Sequence, residues 1–421
     1  MSLSSAINAA VSALSAQSLA LSVVANNLAN TSTTGYKASD TSFSTLLAGA
    51  SGSSSSAAGG VLASSVSNVS AQGLLTSSTV STNMAIDGAG FFVVASDGDG
   101  SGVGYTRNGE FSVDESGYLV NGESYLLGWA TDADGNVLGS ATSSTLTPID
   151  TDVVATIAAP TTAISMVANL PANAADNDTF TSSLELNDSL GTAATATVTW
   201  TKTGENSWML SVSDPVLSSN SSQTVGTVSS SDVTLTFNED GTLASTNPSP
   251  PTLTITGWTT GAADCSISLD LGDIGSATGL SQYSDSSDTL AVELVAEQDG
   301  VEMGSLTGVS IAEDGTVSGI YDNGLRRALY KIPLATFTNA NALSAASGGI
   351  YYASDNSGTA TLRTAGSNGA GSIYGSQLEL STADTNTEFA RMMAAQQAYS
   401  GAAQVVSTAK SMFDTLISAV R

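Results

Sequence analysis

Residues 3–37 read LSSAINAAVSALSAQSLALSVVANNLANTSTTGYK, and the fold turns on how this stretch is covered. Leu3, Ile7, Ala10, Leu14, Gln17, Leu21, Val24 and Leu28 recur at alternating steps of four and three, the spacing of one seam along a helix. From residue 3 to about residue 30 there is no Pro, no Gly and no charged residue. At about 1.5 Å per residue such a helix is roughly 40 Å long. A helix without charges lacks a well-solvated outer face, which predicts contact on more than one side. It ends in ANNLANTSTTGYK, Ala25 to Lys37. There Asn, Ser and Thr compete for helical hydrogen bonds, and Gly35 can take a positive φ.

The other end of the chain repeats the pattern. Phe389, Met392, Gln396, Tyr399, Ala403, Val406, Lys410, Phe413, Ile417 and Val420 mark a second seam, with Thr385 and Glu388 at capping-box spacing ahead of it. Neither helix has a neighbour in sequence able to cover its seam. The spacing therefore predicts that residues 1–37 and 376–421 pair as one coiled-coil-like α domain, completed by assembly. The plainer alternative is an amphipathic helix at each end, packed on its own domain.

At 421 residues the chain is too long for one core, which predicts two to three domains. Its net charge of -28 comes from 38 acidic and only 10 basic residues, a balance that repels nucleic acid and anionic membranes. Simple solubility is the plainer reading of that acidity. Cys265 is the single cysteine, so no intrachain disulfide forms. No uninterrupted run of about 18 apolar residues is present, so no membrane span is expected. No basic residue precedes Lys37, which is the wrong charge pattern for a cleaved secretory signal. Composition alone then implies a cytoplasmic protein or one exported without a cleaved signal.

Residues 38–70 carry little pattern, and Ser51–Gly60, SGSSSSAAGG, reads as a flexible tract in an extended connecting arm. From about Ala71 short strands begin. Phe91–Val94 follows the turn Asp87-Gly88-Ala89-Gly90, and hairpins are expected at Asn108-Gly109 and Asn121-Gly122. A second β-rich region fills about 145–300, with Ala194–Thr201 paired to Ser207–Val212, then Val233–Phe237 and Thr252–Thr256. Lys202 is its only basic residue. The Gly-turn strands return at Val309–Ile311, Val317–Tyr321 and Ala328–Ile332, and Gly348–Gly371 reads as loose. The fold class expected is multidomain α+β. Residues 71–144 and 301–375 form a discontinuous middle β domain, into which an outer β domain, 145–300, is inserted.

Catalytic chemistry finds little footing. Without His there is no Ser-His-Asp triad, and Cys265 has no imidazole partner. Zinc sites built on Cys and His are excluded by the same counts. The stretches beginning at Asp97 and Asp132 resemble fragments of calcium loops, but Asn108 and Ser143 stand where the twelfth-position Glu belongs, so both read as acidic turns. No catalytic residue, metal or cofactor is expected.

ANNLANTSTTGYK resembles the N-terminal signature of bacterial flagellar axial proteins, the rod, hook and hook-associated set. MAIDGAGFFVV, Met84 to Val94, and YTRNGEFSVDESGYLV, Tyr105 to Val120, resemble the sheet domain shared by rod and hook proteins. The stretch from Asn386 to Arg421, with FARMMAAQQAY inside it, is similar to the closing helix of that family. The family's short distal rod protein lacks a large middle domain, and this chain has one, which favours the hook branch.

That resemblance implies a structural subunit of a curved, flexible tube that carries motor torque to the filament as a universal joint. It also implies a homopolymer with a distal rod protein below and a hook-associated junction protein above. A hook cap and the flagellar type III export apparatus would act during assembly. The location implied is extracellular, at the hook and basal body, with no nucleic acid partner and no membrane insertion. The expected subunit interface comprises Leu3, Ile7, Leu14, Leu21, Val24, Leu28, Phe389, Met392, Tyr399, Val406, Phe413, Ile417 and Val420. The family motif comprises Asn26, Asn27, Leu28, Ala29, Asn30, Gly35, Tyr36 and Lys37. A distal rod or hook-associated protein is the alternative within the family. A non-flagellar surface or adhesive β protein is the alternative outside it, to which the Ser/Thr-rich middle alone would fit.

Overall fold

A computed structural model describes residues 3–48, 57–230, 232–276, 278–287 and 289–420. The core of the Ser51–Gly60 tract, residues 51–56, lies outside the described residues. The chain has one helix near each end and an otherwise β-rich body. It divides into two compact units. The first comprises Met1–Val153, Gly308–Ile320 and Arg326–Arg421, and the second Val154–Thr307 and Tyr321–Leu325.

In the first unit, helix α1 spans Leu3–Ala29. The stretch after it, expected to be an extended arm, is instead a long two-stranded ribbon. Strands β1 (Ser39–Ala48) and β2 (Ala57–Ser67) pair antiparallel, with Ser39 opposite Ser67 and Phe43 opposite Ala63. Ribbon and helix touch along their length, and the Val61 amide donates to Ser12 Oγ at 3.1 Å. The expectation that α1 has no local neighbour to cover it is therefore corrected. The sequence signal was weak because Ser and Gly fill this ribbon, which leaves few apolar residues to show an alternation.

Residues Ala6–Ala29 reach a mean hydropathy of 1.5 and are long and apolar enough to cross a membrane by length and composition. This overrides the expectation that no segment qualifies. That expectation counted uninterrupted apolar residues, and the serines of α1 interrupt every run without lowering its mean hydropathy enough. In this chain α1 lies against the ribbon and the C-terminal helix.

The sheet of the first unit is organised around one apolar strand. After β3 (Leu75–Ser77) and β4 (Met84–Asp87) comes β5 (Phe91–Ala95), every residue of which is buried. It pairs with β6 (Val103–Thr106), and Val94 stands opposite Leu126 of a strand further on. It also pairs with Pro333–Thr336, so the two halves of the chain close one sheet. The expected hairpin at Asn108-Gly109 does not form. Strand β7 (Ser112–Val113) pairs forward with β8 (Leu119–Asn121) and not back with β6. Gly109 is needed for another reason. A Cβ there would sit 1.5 Å from the Met84 carbonyl oxygen, and the Met84 amide donates to the Gly109 carbonyl at 2.9 Å. The second expected hairpin forms, β8 pairing with β9 (Ser124–Ala130) through Asn121 opposite Ser124.

Val69, Phe91, Val93, Leu127, Ala335 and Tyr351 share one core, with Phe91 edge-on to Phe337 and to Tyr351. The stretch Gly348–Gly371, expected to be loose, contributes strands Ile350–Tyr352 and Thr361–Thr364 to the same sheet. Ser372–Gly375 then pairs with β4, and Gln377–Glu379 pairs with β3.

Helix α2 spans Thr385–Val420. Its N-cap is Asp384 and not the expected Thr385, because Asp384 Oδ1 accepts the Thr387 amide at 2.8 Å. That bond holds the Asp384 carboxyl below the usual carboxylate range. Glu388, expected to close a capping box, is buried and paired with Arg391.

The second unit buries its own core between two sheets. Strands Ala193–Gly204 and Ser207–Val212 pair antiparallel, as expected, and extend to Val233–Phe237. The facing sheet contains Thr252–Thr256, Cys265–Asp270 and Ala163–Asn169, the last two running parallel. Trp200 and Trp208 from the first sheet pack with Ile164, Met166 and Ile267 from the second, all fully buried. Tyr321 Oη donates to the Val154 carbonyl at 2.7 Å, which ties Tyr321–Leu325 to this unit.

Candidate assembly site

The motif that ends α1 works as a clasp. Asn27 is 1% exposed. Its Nδ2 donates to the Ser39 carbonyl at 2.8 Å, and its Oδ1 accepts the Ser39 amide at 3.0 Å and the Tyr36 hydroxyl at 3.1 Å. One side chain thus closes the turn between helix and ribbon. Asn30 donates to the Asn26 carbonyl at 2.9 Å and accepts from Thr33 Oγ1. Leu28 is half-buried, while Asn26 and Ala29 are exposed.

Gly35, at φ +68°, is the point where the clasp meets the sheet. A Cβ there would lie 2.7 Å from the Asn108 nitrogen and 2.8 Å from the Arg107 carbonyl. Its amide donates to the Glu379 carbonyl at 2.8 Å, and the Thr382 amide returns a bond to the Tyr36 carbonyl at 3.1 Å. The N-terminal turn and the approach to α2 are thereby stitched by backbone bonds.

Behind this seam lies a buried charge cluster that sequence reasoning missed. Glu379 is fully buried, pairs with Lys37, and reaches Arg107 Nη1 at 3.4 Å. It also accepts the Gly73 amide at 2.6 Å. Two cations against one carboxylate leave positive charge over, and carbonyl oxygens absorb it. Lys37 donates to Ala71 at 2.6 Å, and Arg107 donates to Gly88 at 2.7 Å and stacks over the Phe91 ring at 5.3 Å. Burial pushes both cations below their usual pKa range, with Glu379 opposing the shift in each. Lys37 was singled out by the motif. Arg107 lies inside the Tyr105 to Val120 motif, but nothing marks Glu379 among 38 acidic residues.

The helix pair is built from small residues. Along α1 the buried positions are Ala10, Ala16, Ala20, Val23, Val24 and Asn27. Along α2 they are Glu388, Ala395 and Ala409, with Met392, Ala402 and Val406 half-buried between them. Of the residues expected on the seams, Ala10 and Val24 are buried, and Ile7, Leu14, Gln17, Leu21, Leu28, Met392 and Val406 are half-buried. Phe389, Tyr399, Phe413 and Ile417 are exposed, at 48%, 42%, 38% and 64%. The side chains of Leu3 and Val420 lie outside the described residues. On α2 the buried positions Glu388, Ala395 and Ala409 each lie one residue before the expected Phe389, Gln396 and Lys410, while Met392 and Val406 fall on both faces. The contact follows alanine, whose short side chain lets helix axes approach closely, and the large residues remain uncovered on the flanks.

Between α1, β1 and α2 opens a cleft of about 500 Å³. Ala20, Val23, Val24, Phe43, Ala394 and Ala398 line it, with Asp40 and Arg391 paired at 2.5 Å. Elsewhere the acidic turns satisfy themselves. Asp132 Oδ1 accepts the amides of Asp134 and Asn136, which holds its carboxyl below the usual range.

Four family models match the chain in succession. They are the flagella basal body rod protein at residues 7–37, the D1 domain of flagellar hook protein FlgE/F/G at 85–167, the flagellar basal body protein FlaE D2 domain at 131–300, and the flagellar basal body rod FlgEFG protein C-terminal region at 375–419. The flagellar hook protein FlgE of Brucella suis is 33% identical, with all of both chains covered. That of Rhizobium meliloti is 34% identical, also with full coverage of both. That of Salmonella typhimurium is 32% identical over 97% of this chain and 98% of its own.

Proposed function

We infer the mode of action from one premise: this chain belongs to the flagellar hook protein family and is a structural subunit of the flagellar hook. Copies polymerise into a curved, flexible tube that transmits motor torque to the filament as a universal joint. The terminal helices pair as a coiled-coil-like core domain, and the second unit is an outer β domain inserted into the sheet of the first. The tube joins a distal rod protein below to a hook-associated junction protein above. Its subunits leave the cell through the flagellar type III apparatus and assemble beneath a cap.

One observation carries this reading. Phe389, Met393, Tyr399, Val405, Met412, Phe413 and Ile417 lie exposed on a single helix. Fully burying an exposed apolar side chain is worth roughly 1.5 to 3 kcal/mol, and covering the part of each that remains exposed is worth about half of that. A lone copy forgoes that gain, and a polymer collects it at every subunit.

The decisive experiment introduces this chain into a motile bacterium that lacks its own hook protein, followed by electron microscopy of basal bodies. Curved tubes seated on rods, with swimming restored, are the expected outcome. Subunits that are exported but build straight rods or no polymer would refute the hook reading.

A further inference from the structure

Asn-Gly occurs four times in the chain, at residues 108–109, 121–122, 323–324 and 368–369. The pair is chemically fragile as well as turn-forming, because glycine has no side chain to keep its nitrogen away from the preceding side-chain amide. The fold guards three of the four. Asn108 Oδ1 accepts the Glu110 amide at 3.0 Å, and Gly109 is buried against the Met84 carbonyl. Asn121 Nδ2 donates to the Glu110 carbonyl at 2.9 Å. Asn323 Nδ2 donates to the carbonyls of Ile157 and Glu302 at 3.0 and 2.8 Å, and its Oδ1 accepts the Leu325 amide. The Gly324 amide, the nitrogen that would have to attack, donates to the Tyr321 carbonyl at 3.0 Å.

Asn368 differs on each count. Both it and Gly369 are exposed. Neither its side-chain amide nor the Gly369 nitrogen is hydrogen-bonded among the described residues. Their φ values are +51° and +85°, at the tip of a turn closed by the Ala370 amide on the Ser367 carbonyl at 2.9 Å. An exposed turn tip of this kind opens locally at little cost, and opening lets the Gly369 nitrogen reach Asn368 Cγ.

We propose that Asn368 is a site of spontaneous conversion to aspartate and isoaspartate. The Gly369 nitrogen attacks Asn368 Cγ. A new N–Cγ bond replaces the Cγ–Nδ2 bond, the Gly369 amide proton passes by way of water to the leaving nitrogen, and ammonia departs. Water then opens the resulting cyclic imide at either of its carbonyls. Opening at Cγ gives aspartate with the main chain intact. Opening at the main-chain carbonyl gives isoaspartate, with the chain rerouted through Cβ. Nothing is oxidised or reduced. The Asn368 carbonyl oxygen accepts from Arg363 Nη1 at 2.7 Å, so in the iso form it belongs to a new carboxylate already beside a cation. Each product adds a negative charge to the first unit. The iso form also lengthens the loop between Thr361–Thr364 and Ser372–Gly375, which is seated on the sheet by the Gly371 amide donating to the Ala89 carbonyl at 2.7 Å.

The test ages the full-length soluble subunit in mildly alkaline buffer and follows the peptide around each Asn-Gly pair by mass spectrometry. Acid is expected to accumulate at Asn368 at least about fivefold faster than at Asn108, Asn121 or Asn323, the factor that one intact hydrogen bond is worth. In guanidinium chloride the four rates are expected to converge, since the protection comes from the fold. Isoaspartate is read independently, with isoaspartyl methyltransferase and S-adenosylmethionine added as reagents. Asn368→Gly, which a left-handed turn position accepts, is expected to remove most of that methyl-accepting signal. A signal that survives Asn368→Gly overturns the proposal, as does another pair reacting fastest in the folded chain. A ranking that guanidinium chloride leaves unchanged overturns it too, because the selection would then lie outside the fold.

Discussion

Lys37 and Glu379 lie 342 positions apart and meet as an ion pair with both side chains sealed from solvent. Such a pair survives burial only if its remaining donors and acceptors are satisfied. Here Lys37 also donates to the Ala71 carbonyl, and Glu379 also accepts from the Gly73 amide and from Arg107. The pair sits where the chain leaves α1 and where it approaches α2, so it fixes both helix roots to one sheet.

Glu379→Gln removes the carboxylate that Lys37 and Arg107 share and leaves two buried cations facing each other. Breaking a buried pair in this way costs on the order of 3 to 5 kcal/mol. Urea unfolding of the soluble subunit is expected to show that loss in the first unit. The transition of the second unit should not move. A loss below about 1 kcal/mol would mean that the carbonyl oxygens alone hold the cations.

Gly35→Ala is expected to be nearly as damaging, although it adds one methyl group. The position combines a left-handed backbone with contact against the Asn108 nitrogen. The conformation alone costs roughly 1 to 2 kcal/mol, and the clash adds to it. Proteolysis should then release the α1 end faster than in the parent, with the central strands intact. Equal cleavage rates would show that the turn relaxes without loosening the clasp.

Tyr351 gives the first unit a pH limit. Burial, with Tyr36 and Glu379 nearby, pushes its hydroxyl up to about 12. An unfolded tyrosine ionises near 10. Because the folded value is the higher, this contribution is fully present below about pH 10 and is lost as pH rises toward 12. The loss amounts to up to roughly 2 kcal/mol at the upper end. Tyr36, Tyr105 and Tyr330 are raised as well, so Tyr351→Phe should make the alkaline decline shallower without abolishing it. Denaturant midpoints at several pH values between 9 and 12, compared between the two proteins, isolate the Tyr351 share. Parallel curves would rule that share out.

How much of this was readable beforehand depends on the range of the interaction concerned. Both helices, β5 and the strands around Trp200 and Trp208 follow from local periodicity, which a short window contains. The ribbon after α1 was not legible, because its serines and glycines carry no alternation and its stability comes from α1 alongside. Asn108-Gly109 has the sequence of a hairpin turn, but the role of Gly109 is to let the Met84 backbone approach, which no local pattern shows. Glu379 was invisible for a similar reason, and Arg107, although inside the Tyr105 to Val120 motif, was not marked as a charge partner. Their importance lies in meeting Lys37, and no local pattern encodes a contact across the whole chain. On α2 the large residues drew attention to the flank that stays exposed, while the alanines that make the contact carry little signal in a hydropathy pattern.

The second unit is expected to unfold as its own cooperative block. Its core closes on itself, with Trp200, Trp208, Leu210, Leu235 and Ile267 almost wholly buried. Three of the four tryptophans of the chain, Trp200, Trp208 and Trp258, belong to it, and only Trp129 reports on the first unit. Tryptophan fluorescence therefore follows mainly the second unit, while circular dichroism at helical wavelengths follows α1 and α2. Trp208 packs against Phe180 and Lys202, and its Nε1 donates to Gln282 at 2.9 Å, so Trp208→Ala empties a packed site and orphans a buried amide oxygen. A loss of roughly 3 to 5 kcal/mol is expected. It should appear as a lower midpoint in the fluorescence transition, with the helical signal unmoved. If both signals shift together, the two units share one cooperative transition and the second unit is not independent.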